Sequence, residues 1–225
     1  MTSSNRSKAT LLLGVAFFFA LFTALGIWQL QRREWKLALI ERVESRVHAA
    51  PASTFASDEE YRHVLLHGTF DAERTLLAQA NTVLGPGHWV LTPLRLDDGN
   101  HVLINRGFVP LDAKPAAAPQ GPQTITGLLR LSEPGGSLLR KNEPAAGRWF
   151  SRDVQAMGVQ RGLQVLPYFV DQDRHGGAEE WPVGGLTVIR FPNNHLQYAI
   201  TWFGLALLCA GAAVMVWRLP RPELD

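Results

Sequence analysis

Apolar positions in this chain are gathered at its two ends, and between them they recur in short alternating bursts. From Ala9 to Gln31 no residue carries a charge, and Leu11 to Trp28 is almost wholly apolar. At about 1.5 Å per helical residue, such a run crosses a hydrocarbon layer of about 30 Å. Leu196 to Trp217 is equally free of charge. Trp28 and Trp35 near the end of the first run, and Tyr198, Trp202 and Trp217 in the second, supply rings suited to the interfacial belt of a bilayer. The pattern predicts transmembrane helices over residues 9–31 and 193–217, tails at 1–8 and 218–225, and an extramembrane domain at 32–192. A cleaved signal peptide would share Arg6 and Lys8 ahead of the run and the small-residue triplet Ala24-Leu25-Gly26. The run outlasts a usual signal core, continues in helical periodicity as far as Arg46 and is matched by a second span, so a retained anchor is expected.

The segment between the spans begins with a stalk helix. Leu37, Ile40, Val43 and Val47 share one side of Trp35–Val47, with Arg and Glu on the other, and the pattern stops before Pro51. β-type runs follow at Tyr61–Phe70, Thr75–Asn81, His88–Leu96, His101–Val109, Thr124–Leu131 and Val165–Val170. Asp97-Asp98-Gly99-Asn100 reads as a hairpin turn, Gly85-Pro86-Gly87 as a turn, Asp112–Gln123 as a surface loop and Asp153–Gln160 as a short helix. The fold class expected is therefore a membrane protein of α+β type, two transmembrane helices flanking a mostly antiparallel, barrel-like β domain.

Composition narrows the function classes. The chain has 225 residues with 22 Lys+Arg against 20 Asp+Glu, and residues 32–192 carry 18 of each sign. No Lys/Arg run exceeds two residues, so the concentrated field that nucleic acid requires is missing. The single cysteine, Cys209, excludes disulfide frameworks, Cys-ligated clusters and covalent c-type haem attachment within the chain. No Ser lies in a G-x-S-x-G elbow and no carboxylate pair is spaced for acid–base work, so no catalyst is expected. Charge bias leaves orientation open. Arg6, Lys8, Arg218 and Arg221 favour cytoplasmic tails, whereas Arg32, Arg33, Lys36, Arg42 and Arg46 favour the reverse.

Histidines are the remaining candidates for chemistry. His63 and His67 stand four apart, but on a strand that spacing places them about 13 Å from each other, too far for one ion. His48, His88, His101 and His175 are scattered and read as surface residues. His195 differs, because Pro192-Asn193-Asn194 caps the second span and sets it in the first helical turn. The partial positive charge there disfavours imidazolium and keeps the ring a neutral donor suited to a metal. His195, Tyr198 or Ala199, Trp202 and Leu205 share one face, a nitrogen above aromatic surface that a haem can use. The plain alternative is a helix cap hydrogen-bonded at the headgroups. On the first helix Trp28, Arg32 and Trp35 recur at i, i+4 and i+7. Arg32 can pair with a haem propionate, or belong with Arg33 and Lys36 to a stop-transfer cluster.

Gly26-Ile27-Trp28-Gln29-Leu30-Gln31-Arg32 after one span and Pro192-Asn193-Asn194-His195-Leu196-Gln197-Tyr198-Ala199 opening the other resemble the surfeit locus protein 1 family. The likeness continues through Gly68-x-Phe70, Gly87-x-x-Val90-x-Thr92-Pro93-Leu94, Val102–Pro110 and Gly127-x-Leu129-Arg130, in order along nearly the whole chain. Phe108 departs from the Trp of many relatives. The resemblance implies a cytochrome c oxidase assembly factor, without enzymatic turnover, whose middle domain lies outside the cytoplasm. It implies haem a as a transient cofactor with His195 as axial ligand, and subunit I of the oxidase, with haem a synthase beside it, as partners. Residues at positions Tyr198, Trp202, Trp28 and Arg32 would flank the haem. A haem-independent scaffold for nascent oxidase subunits is the alternative. The short N-terminus, lacking an Arg/Ser-rich transit segment, points to a bacterial inner membrane with the domain in the periplasm.

Overall fold

A computed structural model of the chain describes residues 3–137, 139–174, 180–189 and 191–218. Both expected spans are helices. The first, α1 (Ser3–Val47), runs unbroken from the membrane segment through the predicted stalk, since no Pro or capping residue interrupts Gln31 to Trp35. The second span is α3 (His195–Arg218). Both are long and apolar enough to cross a membrane, and little of either apolar window is buried against the rest of the protein, unlike the core helix of a soluble domain. The expected tail at 218–225 lies outside the described residues beyond Arg218. The chain divides into two compact units, Met1–Arg42 with Arg190–Asp225, and Val43–Ile189.

Among the described residues the second unit holds six strands: β1 (His63–Phe70), β2 (Leu76–Thr82), β3 (Gly85–Leu96), β4 (His101–Pro110), β5 (Pro122–Leu131) and β6 (Val165–Gln172). Their order is β1-β5-β6-β4-β3-β2, and a further pairing of β1 with β3 closes five of them into a barrel. The long β3 makes closure possible by serving different partners along its length. Leu94–Leu96 pair with β1 and Gly85–Leu91 pair with β2. All pairings are antiparallel except β4 with β6. That exception is a matter of parity, because strand directions cannot alternate around a closed ring of five.

β3 and β5 begin earlier than the sequence pattern suggests. Gly85-Pro86-Gly87, expected as a turn, is strand, and the hairpin loop shrinks to Val83-Leu84. Pro86 opposes Asn81 at a position where the proline's missing N–H removes no ladder bond, and Pro122 is the first residue of its strand, where it is likewise tolerated.

Alternation sorts side chains into two cores. Val64, Leu66, Leu94, Val102, Ile104, Ile125, Leu129 and Val170 fill the barrel. Leu76, Ala78, Leu91, Leu103, Trp149 and Phe169 lie outside it, under Val154 and Met157 of the short helix α2 (Val154–Arg161). Asp153 caps α2 by accepting from the Ala156 N–H at 3.2 Å. β4 is buried on both faces because it contributes to both cores. Its register against β3 slips between Trp89 and Leu91, where Arg106 and Gly107 form a bulge. Gly107 has φ of 130°, and a Cβ there would meet the Val183 carbonyl carbon and oxygen at 2.2 Å.

One ionic network fastens the loops to the outer face. Asp171 of β6, 6% exposed, accepts from Asn105 Nδ2 at 2.7 Å, Thr187 Oγ1 at 2.9 Å, and Arg130 Nη1 and Arg152 Nη1 at 3.2 Å each. Glu133 receives Arg152 Nε at 3.0 Å and Nη2 at 2.5 Å, and Glu60 receives Arg130 Nε at 3.3 Å. Burial pushes the Glu133 carboxyl up, but the Arg152 hydrogen bonds and charge, with Arg130 beyond, outweigh it and hold the carboxyl below the usual range. Burial pushes the Arg130 guanidinium down, and Asp171, Tyr61 and Glu60 more than restore it.

Gly107→Ala is expected to lower the unfolding free energy of the full chain in micelles by about 2–4 kcal/mol. Gly121→Ala, also at positive φ but in open space, should cost only about 1 kcal/mol. Equal losses would show that the Val183 contact is immaterial. A depressed carboxylate stabilises the fold above its unfolded-state range, and that contribution is lost as pH falls through the folded value. The melting temperature should therefore drop from about pH 6 to pH 3, and Glu133→Gln should flatten that drop.

Candidate functional site

The first unit pairs α1 with α3 in antiparallel fashion. Lys8 Nζ donates to the Trp217 carbonyl at 3.1 Å, and Gln29 meets His195 at the other end. Between those two ties lie about 21 residues of α1, roughly 32 Å of helix. The ties thus bracket a layer of membrane thickness in which neither helix carries a charge.

The seam follows helical spacing. Phe22, Gly26 and Gln29 of α1 face His195, Ala199, Trp202 and Phe203 of α3. The Phe22 and Trp202 rings stack with centroids 5.7 Å apart. A Cβ on Gly26 would lie 2.6 Å from the Phe203 ring, so any larger residue would require that ring to move. Just above, Lys36 Nζ stands 5.0 Å over the ring of Phe191.

Gln29 is 9% exposed and its Oε1 lies 2.8 Å from Nδ1 of His195. An amide oxygen only accepts, so Nδ1 is the donor in this bond, and in a neutral ring Nε2 then holds the lone pair. Metal-binding imidazoles are oriented in this way, one nitrogen anchored and the other presented. The Asn194 carbonyl accepts from the Tyr198 N–H at 3.2 Å, which starts α3 at His195 as the capping pattern suggests.

The sequence candidates separate on this frame. His195 and Trp202 share the seam, whereas Tyr198 is 54% exposed and turned from it. Trp28 and Arg32 lie on an exposed side of α1, and Arg32 Cζ sits 3.9 Å over the ring of Trp35. The residues of α1 that meet α3 are one step around the helix from the Trp28, Arg32, Trp35 row. Gln29 carries a role that the sequence reading passes over. Its signal was an uncharged polar side chain inside a span, three residues from a glycine.

Among the described residues no three His, Cys, Asp or Glu side chains gather to hold a metal ion. His63 is occupied by the Ala49 carbonyl at 3.1 Å and Asp173 Oδ2 at 2.7 Å, and His67 by Thr124 Oγ1 at 3.1 Å. His175 lies outside the described residues. A lone imidazole suits an iron whose other ligands come with it, as in a porphyrin, and does not suit a bare ion. The donor chemistry at His195 fits a haem. The interior of the seam is filled by rings, which leaves only outward-facing surface for a macrocycle.

Comparison with known proteins bears on the whole chain. A sequence profile of the SURF1 family matches residues 16–207. The chain is 35% identical to Surfeit locus protein 1 of Mus musculus, with 85% of the chain and 69% of that protein aligned. It is 34% identical to Surfeit locus protein 1 of Homo sapiens, over 81% of the chain and 69% of that protein. A SURF1-like protein of Monosiga brevicollis is 30% identical over 97% of the chain and 94% of its own length.

Nitrogen-15 spectra of histidine-labelled protein should show His195 as the Nδ1–H tautomer, and Gln29→Leu should release it toward a mixture with the Nε2–H form. A wild-type spectrum dominated by the Nε2–H tautomer would contradict the assigned anchor.

Proposed function

The chain belongs to the SURF1 family, and on that premise we propose that it binds haem a through His195 and delivers it to, or stabilises its insertion into, subunit I of cytochrome c oxidase. Members of the family are assembly factors for that oxidase. The observation that carries the haem reading is the His195–Gln29 bond, which engages Nδ1 and turns Nε2 to the other side of the ring. Haem a, when bound, brings an iron centre that accepts an axial nitrogen.

The chain's own residues supply placement. His195 offers Nε2 from the first turn of a span, at the depth where a haem could pass between lipid and protein. Gln29 keeps the imidazole from rotating. Trp202 backs the histidine within the seam, and the exposed rings of Tyr198 and Trp28 are apolar surface against which a macrocycle can lie. Arg32 is the propionate partner in this reading. One axial ligand on an outward-facing surface suits a carrier that must release its cargo.

The site of action in this proposal is a bacterial inner membrane, with the barrel in the periplasm and subunit I and haem a synthase as partners. The two apolar helices support a membrane location.

A scaffold that holds nascent oxidase subunits without haem is the second reading. It is favoured by the filled seam, where Gly26, Phe22, Trp202 and Phe203 are all engaged in holding the helices together.

Protein purified from cells that make haem a should show a Soret band. His195→Ala should abolish or shift it, and Arg32→Ala should weaken haem retention. An unchanged spectrum in His195→Ala would remove this residue from the site. In a deletion strain the carrier reading expects subunit I to accumulate without haem, whereas the scaffold reading expects haem-replete subunit I that fails to assemble.

A further inference from the structure

A second site lies in the barrel unit. A cleft of about 410 Å³ opens on the outer face of the sheet, over Trp89, Arg130, Arg152 and Asp171. The end of β2 bounds it together with residues 185–188, which belong to no strand.

Hydrogen-bond accounting defines what the cleft can take. Asp171 is saturated by four donors. Arg130 donates two side-chain bonds and Arg152 three, out of the five N–H groups each guanidinium carries. Nη2 of Arg130 has only the 3.9 Å approach of Glu133. The cleft therefore offers donors and asks for acceptors. Glu60, Glu133 and Asp171 outnumber the two guanidiniums, which disfavours a highly charged anion such as a phosphate and favours neutral carbonyl oxygens.

The backbone beside it points to the same chemistry. The Gln79 N–H faces away from β3, since it donates to the Trp149 carbonyl at 2.7 Å. Strand periodicity then turns the N–H and C=O of Asn81 outward too, beyond the reach of the Trp149 segment. Among the described residues the Asn81 backbone has no partner on that side. The two-residue loop next to it is Val83-Leu84, where hairpins ordinarily place polar turn formers, and Val83 is 88% exposed. Val188 across the cleft is 67% exposed.

We propose that this cleft receives an extended segment of a partner polypeptide, added as a short strand to the free end of β2. The segment's backbone pairs with Asn81, further carbonyls reach the unused N–H groups of Arg130 and Arg152, and its apolar side chains rest on Trp89, Val83 and Val188. The proposal deepens the partner-holding side of the proposed function and does not rest on haem. Loss of either activity leaves the other reading standing.

The test uses the full chain in lipid nanodiscs, panned against a displayed library of random twelve-residue peptides. Enriched sequences should be uncharged with alternating apolar positions, and their synthetic versions should slow hydrogen exchange at the Asn81 amide. Val83→Lys, at an exposed tip that packs against nothing essential, should weaken binding at least tenfold. Asn81→Pro, which removes the outward donor, should do the same, while Val159→Lys on exposed α2 should bind as wild type. Enrichment of acidic peptides alone, equal binding by Val83→Lys and Asn81→Pro, or no enrichment at all would each overturn the proposal.

Discussion

A polar side chain inside a membrane span must find a partner within the protein, because hydrocarbon supplies none. Gln29 and His195 meet that demand for each other, and the rest of the helix pair is arranged so that they can. Gly26 lets the helices close, Phe22 and Trp202 fill the layer beneath, and the capping turn at Asn194 starts α3 where its first side chain reaches Gln29. The same bond that satisfies the membrane constraint orients an imidazole whose Nε2 has no partner among the described residues. Structure and chemistry here are two aspects of one hydrogen bond.

The barrel unit follows a different logic. Its core is apolar on both sides of β4, yet its outer face is held by half-buried arginines and carboxylates gathered around the buried Asp171. Removing either partner of such a pair leaves an uncompensated charge in a poorly hydrated place, so the network makes loop placement strict. It also leaves guanidinium hydrogens pointing into a cleft, which is how a structural network comes to have a recognition surface.

Much of this was legible in the residues. Two charge-free runs gave the spans, period-two alternation gave all six strands, and Asp97-Asp98-Gly99-Asn100 marked its hairpin. The strand starts were missed at Gly85 and Pro122 because Gly and Pro are ordinarily strand breakers, and only pairing shows that these prolines owe the ladder nothing. The helix start at His195 was legible in Pro192-Asn193-Asn194. Gln29 was not given a role, because which side of α1 faces α3 depends on tertiary packing; the row of Trp28, Arg32 and Trp35 is the more conspicuous pattern and lies on the exposed side. The Asp171 network was invisible for the same reason, being assembled from β4, β5, β6 and two loops.

The parallel pairing of β4 with β6 has a bearing on biosynthesis. Among the described residues β6 is the last strand, yet it sits between β4 and β5, which are made well before it. As the chain emerges, those two earlier strands have no neighbour on the sides that β6 will cover, and each exposes a row of unpaired peptide groups. Ring closure waits for residues 165–172, only some twenty residues ahead of α3. The barrel unit is thus completed at nearly the moment α3 arrives, which shortens the interval in which an unfinished sheet edge is open to the wrong strand.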